Sequence, residues 1–406
     1  MVECSDYVQP NGALAADDVT TRRLTSVIVK RDGSCDSSRP HVLRLACDSF
    51  GHAVDDECAH ATGIARRLRL EGADSVLVLG VKAQYEYLHW LDSHNASGWI
   101  RLASGKCSSP DPSSVVALLE QALALGHADA DAALIAIVDA CQPTTTGHWP
   151  DLPQLSWAET PRFSGLVPPR TDPALGLYAI VDSSANAQRI LDAGVRTIQL
   201  RIKRPVTPPP DWDASLRREI ELTVALADSA GATLFINDAW ELARECGARG
   251  VHLGQEDLLG LGEMNRARLL ESGLALGVSS HSIWELCRAR ALAPRYIACG
   301  PVWPTTTKTL PWVPQGEDNL RWWCRVAGAP VVAIGGVLGP LEVERAAACG
   351  ADGVCLVRGL ANDPERAVPP LTVALERGRD ASRPALRRWP HPTLPNTGAV
   401  GLAAAG

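Results

Sequence analysis

The sequence predicts an α/β protein in which a smaller α/β domain precedes a (β/α)8 barrel. Three observations carry this expectation. Short apolar runs rich in β-formers recur through the second half of the chain, as GLYAIVD, TIQLRIK, TLFIND, GVHL, ALGVSS, YIACG, VVAIGG and GVCLV. Ala/Leu/Arg-rich segments of helical character separate them, several closing on a glycine suited to the residue after a helix. The first half carries the same two element types without that repeat.

Taken in chain order, GIARRLRLEGADSVLVLGVK, from Gly63, reads as a helix and then a strand. SSVVALLEQALALGHADADAALIAIVDA, from Ser113, reads as two helices broken at Gly126-His127. These form the first domain, residues 1–165. The Pro-rich stretch from Pro143 to Pro173 reads as a linker or extended strap. The barrel domain, residues 166–378, takes its strands from the runs beginning at Gly176, Thr197, Thr233, Gly250, Ala275, Tyr296, Val331 and Gly353. SANAQRILDAG, LRREIELTVALADSAG and LEVERAAACG are among the helices between them. An open doubly wound sheet is the alternative, because periodicity alone does not close a barrel. Residues 379–406, with RPALRRWPHPTLPNTG and GLAAAG, are expected to be a disordered tail, being too rich in Pro and Gly to pack.

Composition narrows the function classes. The chain has 406 residues and a net charge of −7, with no Lys/Arg run, which argues against nucleic acid as a partner. No run approaches the roughly 20 apolar residues that span a bilayer, and the N-terminus has neither a basic nor an apolar leader region, so the expected compartment is the cytoplasm and no membrane partner is expected. The 12 cysteines are scattered without CxxC or Cys/His ligand spacing, and read as reduced apolar core residues.

The chemistry concentrates at the C-terminal ends of the strands, where barrel enzymes build their sites. Gln199, Arg201 and Lys203 alternate at the end of the second strand and share one face, the lumen of a barrel. Two cations there call for an anion; the plainer reading is a solvated strand end. Asp238 ends the third strand and Asp257 follows the fourth, and two such carboxylates can converge on one hard divalent cation that keeps sites for phosphate oxygens. Each alone would read as a helix cap. Ser279 ends the fifth strand. The sixth leads into Thr305, Thr306, Thr307 and Lys308, which add hydroxyls and a cation to the rim, although a Thr-rich turn is more often only a turn. Gly335-Gly336 after the seventh strand and Val357-Arg358 after the eighth sit where barrels commonly hold phosphate by backbone N–H groups.

In order and spacing, QLRIK, FIND, GVHLGQED, GVSSH, GPVWPTTTK, AIGGV and ADGVCLV, between about Gly176 and Leu360, resemble the motifs of thiamine phosphate synthase, a TIM-barrel family. The resemblance implies a transferase that joins an aminopyrimidine diphosphate to a thiazole phosphate, giving thiamine phosphate and pyrophosphate. It implies that Gln199, Arg201, Lys203 and Asn237 bind the pyrimidine diphosphate, that Asp238 and Asp257 hold Mg²⁺ on it, and that Ser279 and Lys308 complete the pocket. Arg201, Ser279 and Lys308 are then the catalytic candidates. Thr305, Thr306 and Thr307 would line the thiazole side, with backbone N–H groups at Gly336, Val357 and Arg358 on its phosphate. The pattern departs from the family at Ile202, where an acidic residue is common, at Ala239, where Arg often follows Asn-Asp, and at Arg358, where Ser is common. Small phosphorylated molecules are the expected partners, and a homo-oligomer is compatible with the sequence.

Two other functions stand beside this one. A thiazole tautomerase shares the barrel but would not require Arg201, Lys203, Asp238 and Asp257 together, and a noncatalytic thiamine-precursor sensor would use the first domain as its output. That first domain faintly resembles the C-terminal part of the hydroxymethylpyrimidine phosphate kinase family. The family's Gly-rich anion loop is replaced by GKCSSPDPSS, so the resemblance implies a degenerate, noncatalytic remnant.

Overall fold

A computed structural model describes residues 24–29, 42–47, 54–70, 73, 75–83, 86–93, 96–102, 110–142, 149–158, 160–163, 175–305, 311–360, 362–381 and 387–394. The chain divides into two compact units, Met1–Ser164 with Asn396–Gly406, and Gly165–Pro395.

The first unit contains β1 (Leu24–Val29), β2 (Val42–Cys47), α1 (Val54–Leu70), β3 (Ser75–Ala83), β4 (Glu86–Ser93), β5 (Ser97–Arg101), α2 (Pro112–Ala124), α3 (Asp129–Cys141) and β6 (Gln154–Ser156). Its strands form one sheet in the order β1-β2-β3-β4-β5-β6, with β2 and β3 parallel and the other pairs antiparallel. Cys58, Ala61 and Ala65 of α1 pack on Val76, Val78, Trp90 and Trp99, so the amphipathic face of α1 covers the sheet. Sequence reading placed residues 143–173 in a linker, yet β6 lies inside that stretch and pairs with β5. The reason is local: Leu152 and Leu155 are both buried, and they draw the Pro-flanked segment onto the sheet edge.

The second unit alternates strand and helix throughout. Its elements are β7 (Gly176–Val181), α4 (Ser184–Asp192), β8 (Thr197–Leu200), α5 (Trp212–Ser229), β9 (Thr233–Asn237), α6 (Trp240–Glu245), β10 (Gly250–Leu253), α7 (Gln255–Gly260), α8 (Gly262–Glu271), β11 (Ala275–Ser280), α9 (Ile283–Arg290), β12 (Tyr296–Cys299), α10 (Gly316–Val326), β13 (Val331–Ala333), α11 (Pro340–Ala348), β14 (Gly353–Leu356), a 3₁₀ turn at Arg358–Leu360, and α12 (Pro364–Arg379). All neighbouring strands are parallel, and β14 pairs with β7 from Gly353↔Gly176 to Leu356↔Ala179, which closes the barrel. Gly194 and Gly350 end α4 and α11 at φ +102° and +97°, as the closing glycines of those segments predict.

Strands buried on both faces read as continuous apolar runs, and β8, β12 and β14 are buried at every position. Inside the barrel, Tyr178, Phe235, Tyr296, Ala298, Val332 and Cys355 form the packed layer. Tyr296 stands edge-on to Phe235 at 4.9 Å and to Tyr178 at 5.6 Å between centroids. Room for its ring comes from Gly277 on the adjacent strand, where a Cβ would lie 2.3 Å from Tyr296 Cζ.

All described cysteines are free thiols. Burial pushes Cys299 and Cys355 well above the ordinary thiol range and Cys349 up to about 11, as expected of small core residues. Among the described residues no helix is long and apolar enough to cross a membrane.

The tail departs from expectation over residues 387–394, which pack on the barrel unit. Trp389 meets Trp322 at 6.1 Å between ring centroids, Trp322 Nε1 donates to the Arg388 carbonyl, and Thr393 is buried. Prolines prevent a helix here but leave carbonyls free to accept, and the aromatic ring supplies the apolar anchor that composition alone concealed.

Candidate functional site

The lumen layer leads upward into a chain of side-chain hydrogen bonds. Gln199 Nε2 donates to the Tyr178 hydroxyl at 3.0 Å, the Tyr178 and Tyr296 hydroxyls lie 2.7 Å apart, and the Tyr296 hydroxyl is 2.7 Å from His252 Nδ1. His252 Nε2 is in turn 3.0 Å from Ser279 Oγ. With Gln199 donating, one arrangement satisfies every link of the chain: Tyr178 donates to Tyr296, Tyr296 to Nδ1 of His252, and Nε2–H to Ser279. Gln199, one end of this chain, is buried at 3% exposure, and Ser279 at the other end is half-buried on the rim. Burial raises both tyrosine hydroxyls far above their ordinary range, so each stays protonated and able to donate.

Arg201 follows Gln199 on the same side of the strand line and is half-buried, its N–H donating to the Val181 carbonyl at 2.7 Å. Lys203 is exposed. At the end of β9, Asp238 adopts φ +62°, a left-handed conformation uncommon for a residue with a side chain and concentrated at functional positions. Its N–H donates to the His252 carbonyl at 3.0 Å, which fixes the turn over β10. Desolvation, then repulsion from Asp257 and a hydrogen bond shared with it, push the Asp238 carboxyl up to about 6, against the opposite pull of Arg201 and Asn237. Asp257 lies in the first turn of α7 rather than before it, with Gly254 as the N-cap, and its side chain accepts the Gly254 N–H at 3.2 Å, so it ties down the helix start while pairing with Asp238.

Two carboxylates pressed together beside one guanidinium are a donor set for a hard divalent cation with few protein ligands. Among the described residues no group of three or more acids, histidines or cysteines gathers as a metal site, so most of the shell of such a cation would be water or ligand oxygen.

Across the rim, the segments after β12 and β13 are tied to each other. Val302 N–H donates to Ile334 O at 2.9 Å and Trp303 N–H to Gly335 O at 3.1 Å. Gly336, at φ +74°, lets this approach happen, since a Cβ there would lie 2.6 Å from Trp303 Cβ. Thr305 is half-buried next to this junction, while Thr306, Thr307 and Lys308 lie outside the described residues. After β14, Val357 is half-buried and Arg358 exposed at the start of the 3₁₀ turn. The structure therefore gathers Gln199, Arg201, Asn237, Asp238, Asp257 and Ser279 over β8 to β11, with Thr305 and Gly336 across β12 and β13. Sequence reading singles out none of Tyr178, His252 and Tyr296. Their signal was positional: each is a polar-tipped ring on a strand otherwise made of small or aliphatic residues.

Fold and site together define a (β/α)8-barrel enzyme with an acidic pair and a cation at the C-terminal rim. The family model described as thiamine monophosphate synthase matches residues 177–360. The thiamine-phosphate synthase of Serratia proteamaculans is 42% identical over 217 residues, 52% of this chain and 96% of that protein. That of Neisseria meningitidis is 43% identical over 198 residues, 48% of this chain and 91% of that protein. Thiamine phosphate pyrophosphorylase from Pyrococcus furiosus, a solved structure, is 25% identical, with 50% of this chain and 96% of that one covered and a TM-score of 0.43. Through its barrel unit, the chain belongs to the thiamine-phosphate synthase family.

Proposed function

We propose that the barrel unit joins an aminopyrimidine diphosphate to a thiazole phosphate, releasing pyrophosphate and forming thiamine phosphate. The observation that carries this reading is the Asp238–Asp257 pair beside Arg201. An acidic pair next to a guanidinium suits a divalent cation and the diphosphate it accompanies. The two carboxylates would hold Mg²⁺, which when bound neutralises charge on the departing diphosphate. Arg201, Lys203 and Lys308 would hold the diphosphate oxygens, and Asn237 would keep Asp238 aimed. Gln199 and Ser279 would face the aminopyrimidine, and the buried chain between them would keep Ser279 accepting from His252 and so presenting its own O–H to the ring. Thr305, Thr306, Thr307 and the backbone at Gly336, Val357 and Arg358 would take the thiazole phosphate. No strong base is required, because departure of the diphosphate with the bonding pair leaves a pyrimidine methylene cation, stabilised by the electron-rich ring, that the thiazole nitrogen captures; orientation and charge do the catalysis.

A thiazole tautomerase has no diphosphate to bind and no use for the acidic pair, whereas a precursor sensor would bind the same substrates without turning them over. The test is direct: the full chain, both substrates and Mg²⁺ should yield thiamine phosphate and pyrophosphate in equal amounts, and no product would overturn the reading.

For the first unit the reading is a kinase-like remnant with a packing role. Support comes from the start of α2, where Asp111 already takes the Ser114 N–H at 2.9 Å and its hydroxyl at 2.8 Å. A carboxylate so placed occupies the end of the helix that would otherwise attract a phosphate. ATP-dependent phosphorylation of the pyrimidine monophosphate by the full chain would refute it.

A further inference from the structure

Residues 387–394 lie beyond the stretch matched by the family model, and among their links to the barrel is a contact with one fully buried residue, Gln315, near the rim. Gln315, at 0% exposure, stands between β12 and α10 and commits all four of its polar groups to different segments. Its N–H donates to the Pro301 carbonyl at 2.7 Å, at the end of β12. Its Nε2 donates to the His281 carbonyl at 2.8 Å, two residues past Ser279. Its Oε1 accepts from Asn319 Nδ2 at 2.9 Å, on α10. Its own carbonyl accepts from His391 Nε2 at 2.8 Å, in the C-terminal segment.

The segment is gripped on both sides of that contact. His391 N–H donates to Asn319 Oδ1 at 2.9 Å, Asn319 Nδ2 donates back to the His391 carbonyl at 3.1 Å, and Val313 N–H donates to Thr393 O at 3.0 Å. Gly316 N–H on the Val302 carbonyl, 2.9 Å, closes the neck of the connection that leaves β12. His281 is stacked on Trp312 at 5.3 Å with ring planes 4° apart, so the neck also touches the end of β11. A buried amide with every group satisfied has one low-energy position, and removing any partner leaves a desolvated polar atom.

We propose that residues 387–394 are a positioning strap for the substrate-binding face, in which His391 sets Gln315 and, through it, the ends of β11 and β12. His391 touches no reacting atom and is a positioning residue. The kinetic arm of the test rests on the synthase reading; the exchange arm does not.

In the full chain without substrate, hydrogen exchange at the Gln315 and Gly316 amides should quicken about fivefold in His391→Ala, the ratio given by one net hydrogen bond, with exchange along β12 unchanged. His391→Gln, whose amide nitrogen reaches the Nε2 position, should restore protection. His391→Asn, which stays polar but is too short to place a donor there, should behave like Ala and serves if Ala fails to fold. With substrates, KM should rise about fivefold while kcat stays within about twofold, again following the Gln/Asn pattern. A lowered melting temperature with unchanged exchange at Gln315 and Gly316 would show a purely structural segment and overturn the proposal. An inactive wild type would overturn the synthase reading and leave the exchange result to decide the strap.

Discussion

Tyr296 and His252 lie ring over ring at 5.6 Å, 13° from parallel, and the Tyr296 hydroxyl is 2.7 Å from His252 Nδ1. In the arrangement that starts with Gln199 as donor, Nδ1 accepts from the Tyr296 hydroxyl and the imidazole proton sits on Nε2, toward Ser279. Tyr296→Phe should leave Nδ1 and the Tyr178 hydroxyl buried with one partner fewer each. A loss of about 1–3 kcal/mol in unfolding free energy is expected, read from the denaturant midpoint. An unchanged midpoint would mean that the chain of hydroxyls contributes nothing to the lumen.

Asp238 titrates at about 6, above the ordinary carboxyl value of 3.8 that it regains when the chain unfolds. Between those values the folded state binds more protons than the unfolded one, so this group lowers stability as pH rises. Compared in metal-free buffer at pH 4 and pH 7, Asp238→Asn should gain on wild type at the higher pH. Mg²⁺ added at pH 7 should raise the wild-type melting temperature and leave that of Asp238→Asn nearly unchanged. A wild-type-to-variant difference independent of pH would refute the paired-carboxylate account.

Gly277→Ala should be strongly destabilising, because the new Cβ would sit 2.3 Å from Tyr296 Cζ and 2.4 Å from Cε1. Overpacking of a filled layer typically costs about 1–3 kcal/mol, and here the displaced ring also carries the His252 hydrogen bond. Thermal unfolding of Gly277→Ala alone and combined with Tyr296→Ala, which removes the ring, tests this by non-additivity. Additive losses would mean that the ring is not what Gly277 accommodates.

Arg201 is the cation beside the acidic pair, and Arg201→Ala should cut kcat/KM by about 100-fold with little change in melting temperature. Arg201→Lys should recover only part of this, since a point charge replaces a planar fork. Steady-state kinetics in saturating Mg²⁺ distinguish this from a stability effect.

How much of this was legible in the sequence follows from what each element needed. The barrel strands begin where the apolar runs begin, at Gly176, Thr197, Thr233, Gly250, Ala275, Tyr296, Val331 and Gly353, because strands buried on both faces must be continuously apolar. Asp238 and Asp257 were legible as strand-end carboxylates, and they meet as pairing requires. Neither β6 nor the 387–394 strap was, since both are short, Pro-flanked segments held by individual side chains such as Leu155 and Trp389 rather than by any period. The lumen chain was hidden for another reason. Tyr178, His252 and Tyr296 come from separate strands, and only closure of the barrel brings them into contact.

The thiols packed among the barrel strands give this protein a built-in clock. Cys299 at the end of β12 and Cys355 on β14 are buried and held protonated, so an alkylating reagent can reach them only when their strands part from the barrel wall. Timed labelling followed by mass spectrometry would thus record how often each stave of the barrel opens in the native protein, with no probe introduced and no residue replaced.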